Sequence, residues 1–101
     1  MAELIWSERA ISDIENIYDY IAHDSPRYAQ LTSESIIKSV ERLQSFPESG
    51  RRLPEFPQLP YREVITINYR AVYNYDSGND KVKIITVVHG SRLLKEEFIA
   101  E

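Results

Sequence analysis

The tripeptide Asp24-Ser25-Pro26 constrains this chain more than any other local feature, because it separates two stretches that each carry an apolar stripe at helical spacing. On its N-terminal side Ile11, Ile14, Ile17, Tyr18 and Ile21 share one face of a 3.6-residue repeat, which predicts a helix over about residues 8–22. On its C-terminal side Ala29, Ile36, Ile37, Val40 and Leu43 repeat the pattern and predict a second helix over about residues 26–45. Phe46-Pro47 ends it, since the residue before proline avoids helical angles. Ser25 suits an N-cap and Pro26 the first helical position, where a missing N–H is harmless. A connection this short folds the two helices into an antiparallel hairpin.

A helical hairpin with one apolar face needs something to cover it, and the rest of the chain reads as sheet. Residues 3–6 form a short apolar run that stops at Ser7, a second N-cap candidate. Four of the five prolines fall within residues 47–60, a composition that neither helix nor central strand tolerates, so this segment is expected to be a long ordered loop. Three β-type runs follow at residues 62–67, 69–75 and 82–88. Asn68 suits the first tight turn, and the 76–80 loop has Gly78 available for a positive φ. The tail, residues 91–101, mixes Leu93, Leu94, Phe98 and Ile99 with charges and reads as a short helix or packed arm. The expected fold is α+β, in the order β-α-α-β-β-β, with an α-hairpin packed on a small, mostly antiparallel, twisted sheet.

One hundred and one residues match one domain, expected to span 1–101. The absence of cysteine excludes disulfides, thiolate nucleophiles and zinc-thiolate sites. No apolar run reaches the roughly 18 residues needed to cross a bilayer, and no signal-type segment opens the chain, so a cytoplasmic location is expected. Net charge is −4, but its distribution is uneven. Residues 1–50 hold four Lys/Arg against nine Asp/Glu, whereas residues 51–95 hold eight against four. Ser12, Asp13, Glu15, Asn16 and Asp19 read as the solvated face of the first helix.

With only His23 and His89 present, no metal site is expected, and no cofactor motif is found. What remains is a set of cations in the β-rich half: Arg51-Arg52, Arg62, Arg70 and Arg92. Arginine grips phosphate bidentately, so three of them converging would suit a phosphoryl transition state or a nucleic-acid backbone. The plainer use of each is an ion pair with a surface carboxylate. Strand alternation puts Tyr69, Ala71, Tyr73 and Tyr75 on one sheet face and Arg70, Val72 and Asn74 on the other, with the tyrosines read as core.

The order of elements and several strings resemble the RelE/ParE superfamily of toxins from bacterial type II toxin–antitoxin systems. The strings are Trp6-Ser7, Ala10 and Asp13-Ile14, then Tyr20-Ile21, Ala29 through Leu43, and Pro47-Glu48-Ser49-Gly50-Arg51. They continue with Tyr69-Arg70-Ala71-Val72-Tyr73 and Val87-Val88-His89-Gly90-Ser91-Arg92. The resemblance implies a cognate antitoxin whose disordered segment folds on the toxin, and DNA binding only indirectly, through that antitoxin. It also implies one of two activities. RelE-like members cleave mRNA on the ribosome, and under that reading Arg62, Arg70 and Arg92 would be the catalytic residues. Phe98, however, stands where some of them have a tyrosine, and a phenyl ring has no proton to transfer. Arg62 followed by Glu63 gives one cation where they have two lysines.

ParE-like members poison DNA gyrase by protein contact, and the Val-His-Gly-Ser-Arg ending favours that branch. His89, Arg92 and Phe98 would then contact a partner, and Leu53, Phe56 and Leu59 in the proline-rich loop would offer an antitoxin an apolar anchor, unless they pack on their own domain. An mRNA endonuclease, and a non-toxic member that only binds its antitoxin, stay open as alternatives.

Overall fold

In the computed structural model, residues 1–99 are described, the side chain of Phe98 excepted. β1 (Glu3–Trp6) leads into α1 (Glu8–Ala22), and α2 (Pro26–Glu41) follows, continued by a 3-10 turn at Arg42–Gln44. Four strands come next: β2 (Arg51–Arg52), β3 (Arg62–Thr66), β4 (Tyr69–Asp76) and β5 (Lys81–His89). A 3-10 turn at Glu96–Phe98 lies in the tail. The strands form one sheet in the order β1-β5-β4-β3-β2, with β1 parallel to β5 and every other pairing antiparallel.

Both helices start as their caps dictate. Ser7 Oγ accepts the Ala10 N–H at 3.0 Å and Ser25 Oγ accepts the Tyr28 N–H at 3.2 Å. The α-hairpin covers one face of the sheet, where Ala10, Ile36, Val40, Leu43, Tyr73, Val82 and Ile84 are buried together. The α+β class and the packing of two helices on a mostly antiparallel sheet are therefore as expected. The proline-rich segment contributes one element beyond expectation, the two-residue edge strand β2 paired with β3, so the order becomes β-α-α-β-β-β-β. Among the described residues no helix is long and apolar enough to cross a membrane.

Both turns lie where the sequence reading put them, with positive φ angles at residues it did not name. Asn68 sits in the tight turn between β3 and β4, as expected, and the left-handed angle there falls on Ile67, with φ 52°. A β-branched side chain there is strained. In the β4–β5 loop Asp80, with φ 53°, takes the role expected of Gly78.

The sheet also contains a bulge that alternation could not reveal. Val72 pairs with Thr86 while Tyr73 pairs with Ile84, so Ile85 has no partner on β4. The extra residue reverses the faces of β5 beyond it. Val82, Ile84 and Val87 share the helix side, whereas Val88 turns to the opposite face. The bulge is held from the helix side: Ser7 Oγ donates to Ile85 O at 2.8 Å, and Asp13 Oδ2 accepts from Thr86 Oγ1 at 2.6 Å and Val87 N at 2.9 Å. Asp13 is thus a structural acceptor that replaces a neighbouring strand where β1 has ended, not part of a purely solvated face.

Candidate functional site

The expected tyrosine and arginine faces of β4 are present, and Arg70 points away from the helices into a nearly solvent-free position, with 4% of its surface exposed. Arg70 Nη1 donates to Glu63 Oε1 at 2.7 Å and Glu55 Oε1 at 3.1 Å. Nη2 donates to Glu55 Oε2 and to the Arg92 carbonyl, the latter at 2.8 Å. Glu63 is itself buried, and its Oε2 accepts Arg51 Nε at 2.7 Å. Glu55 Oε2 also accepts the Leu94 N–H at 2.9 Å. Two guanidiniums and two carboxylates therefore neutralise one another while joining β2, β3, β4, the loop and the tail. The Arg70 hydrogen bonds hold the Glu55 carboxyl well below its ordinary value of 4.5, at about 2.

Sequence reasoning named the cation and missed its partners. A signal was available: a hairpin turning at Ile67-Asn68 places Glu63 opposite Val72 and Ile65 opposite Arg70, so Glu63 and Arg70 are diagonal neighbours on one face. Glu55 carried no such signal, since it comes from an irregular loop.

The three candidate arginines do not converge. Arg62 pairs with Tyr73 across β3 and β4, which puts it on the face opposite to Arg70. There its Nη1 donates to the Gly50 carbonyl at 2.7 Å and the Glu48 carbonyl at 3.3 Å, holding the corner before β2. Gly50 packs so tightly that a Cβ would lie 2.6 Å from both Glu63 O and Tyr73 Oη. Arg92 does share a cavity of about 390 Å³ with Arg70, Arg51 and Glu55.

The proline-rich loop is not an exposed anchor. Leu53 is fully buried, and Phe56 and Leu59 are partly buried beside Tyr61. They close a second, smaller apolar cluster with Val72, Val88 and the tail residues Leu94 and Ile99. Each hydrophobic side chain of the loop thus gains burial within its own domain. Phe98 is a partner-contact expectation whose side chain lies outside the described residues.

His89 is exposed at the end of β5, where the bulge turns it to the helix side. Its ring meets Tyr69 edge-on, with centroids 5.5 Å apart at 77°. Its Nδ1 lies 2.7 Å from Ser91 Oγ and accepts the Ser91 N–H at 3.2 Å. A separate, strongly apolar groove of about 300 Å³ runs along the hairpin and is lined by Trp6, Ile11, Ile14 and Ile37, with Glu15 at its side. Ile11 and Ile37 remain 49% and 37% exposed, so the helices do not close it themselves.

Comparison with known proteins fits this architecture. The family model described as the ParE toxin of a type II toxin–antitoxin system, parDE, matches residues 4–94. Toxin RelE2 of Caulobacter vibrioides is 30% identical over 93 residues, which cover 92% of this chain and all of that protein. Among solved structures, the chromosomal ParDE toxin–antitoxin system from P. aeruginosa superposes with a TM-score of 0.70 at 22% identity, covering 88% of this chain and 96% of that one. The intact E. coli RelBE toxin–antitoxin complex gives 0.67 at 18% identity, over 91% and 100% of the two chains. At such identities the two structures establish the shared fold.

Proposed function

The chain belongs to the ParE toxin family of type II toxin–antitoxin systems, within the RelE/ParE superfamily, and from that premise we propose that it acts by binding DNA gyrase rather than by cutting mRNA, under control of a cognate antitoxin. The observation that carries this reading is the state of Arg70. A guanidinium that stabilises a transferring phosphoryl group must be aimed at it and free of competing anions. Arg70 is instead buried between Glu55 and Glu63, and the Nη donors that a phosphate would need are already taken by these two carboxylates. Detaching either carboxylate would leave a buried charge without its partner, which costs several kcal/mol, roughly 3–5. Arg62 lies on the other face of the sheet and Phe98 lacks a hydroxyl, so neither supplies the missing chemistry.

One observation favours the competing endonuclease reading: Arg51, Arg70 and Arg92 do line a common cavity. The carboxylates of Glu55 and Glu63 weigh against it. Antitoxin control is supported by the groove of Trp6, Ile11, Ile14 and Ile37, whose shape and apolar lining fit the apolar face of an amphipathic helix. The acidic first half of the chain calls for basic residues along the polar edge of that helix.

Controlled induction in growing bacteria tests both parts. Expected results are growth arrest with a DNA-damage response, intact ribosome-bound mRNA, and rescue by co-expression of the small frame encoded beside the toxin. Codon-specific mRNA cuts would overturn the gyrase reading in favour of the endonuclease, and the absence of any arrest would leave a chain that only pairs with its antitoxin.

A further inference from the structure

A second cleft, of about 300 Å³, opens between α1 and the C-terminal end of β5, lined in part by Asp13, Asn16, Tyr20, Tyr69 and His89. It is separate from the Trp6 groove and lies on the sheet face opposite to Arg70. Three aromatic rings border it, from three different elements. Tyr69 and His89 are fixed edge to face, while Tyr20 is 81% exposed and packs on little. The wall exists because of the bulge, since uninterrupted alternation from Ile84 would send His89 to the far side of the sheet.

The polar chemistry of the cleft is one-sided. Asp13 uses Oδ2 for both of its bonds to β5, and among the described residues its Oδ1 has no hydrogen-bond partner. Neither lysine nor arginine lines the cleft. A carboxylate oxygen between aromatic rings repels phosphates and carboxylates and attracts a cation, because the ring faces carry negative charge density. A planar, weakly hydrated guanidinium uses both features: it stacks on a ring and presents several N–H donors to a carboxylate. An ammonium is a compact, strongly hydrated charge and would gain less from the rings.

We propose that this cleft receives an arginine side chain of the bound antitoxin, fixing the register of the antitoxin on the toxin. The identity of the occupant rests on the antitoxin reading above; the preference for guanidinium does not. The test is therefore made in two arms.

In the first arm, the isotope-labelled full-length chain is titrated with N-acetyl-arginine amide, its uncharged citrulline counterpart and uridine monophosphate, and followed by NMR. Arginine amide should give saturable shifts at Tyr20, Tyr69 and His89. Citrulline amide and Y20A with arginine amide should each bind about tenfold more weakly, the scale of a desolvated cation–π contact. Tyr20 is chosen because its exposed ring supports no other part of the fold, so Y20A should otherwise keep the parent spectrum. Equal binding of citrulline, stronger binding of the nucleotide, or shifts confined to other residues would overturn the proposal. In the second arm, affinity for the neighbouring frame's product that restores growth is compared between the parent chain and Y20A. A loss of about tenfold is expected. Unchanged affinity with an intact arginine response would reject the antitoxin as occupant while leaving toxin–antitoxin pairing in place.

Discussion

On the helix side of the sheet, Ile36, Val40, Leu43, Tyr73, Val82 and Ile84 meet with no solvent exposure, and polar anchors such as Tyr73 Oη, which donates to the Pro47 carbonyl at 2.8 Å, lie at the margins. On the far side, five buried apolar residues share the surface with Arg70, Glu55 and Glu63, and an irregular loop and tail take the place of helices. The first face is closed by non-directional apolar burial, which tolerates small changes of shape and is indifferent to pH. The second depends on paired charges whose desolvation must be balanced bond by bond. A loop rich in proline has no apolar stripe to offer, so its docking falls to a few specific contacts.

The sharpest way to break this contrast is to remove the hub of the charged face. R70M should cost about 3–5 kcal/mol, read from the urea midpoint, because Glu55 and the fully buried Glu63 would lose the cation they share. A loss below about 1 kcal/mol would show that the network is solvated and loosely held.

Acid should loosen the same face selectively. Glu55 is held at about 2 in the folded chain against an ordinary 4.5, so the unfolded chain binds its proton more readily. Its stabilising contribution is complete above the ordinary value and is lost as pH falls from about 4.5 toward 2, with an upper bound of roughly 3 kcal/mol. E55Q should flatten that part of the stability–pH curve. An unchanged acid limb would assign it to other carboxylates.

G50A tests the junction between the faces. Its new methyl group would overlap the backbone of Glu63 and the ring of Tyr73, neither of which can swing aside, and should cost about 1–3 kcal/mol. On the helix side, I36V removes one methylene from a closed site and should cost about 1 kcal/mol with no pH dependence between 3 and 7. A pH-dependent cost there would erase the distinction drawn between the two faces.

What could be read in advance follows the same division. α1 and β1 begin and end where apolar spacing and the Ser7 cap place them, since both signals are local. The alternation of β4 was equally legible, because a strand shows its faces in its own residues. The bulge at Ile85 was not, since it exists to satisfy Ser7 and Asp13, which lie more than seventy positions away in the chain. Arg70 could be identified as a strand arginine from its neighbours, but its role was set by Glu55 and Glu63. For Leu53, Phe56 and Leu59 an exposed anchor and packing on their own domain both stayed open, because the tail that covers them had no defined position in the sequence.

On the proposed reading, Arg70 holds the fold together and the toxin works by contact. Purified chain incubated in parallel with gyrase on supercoiled DNA and with ribosomes carrying a defined mRNA measures this directly. That reading predicts inhibited or trapped gyrase and an uncut message. Codon-specific cleavage on the ribosome with gyrase unaffected would contradict it.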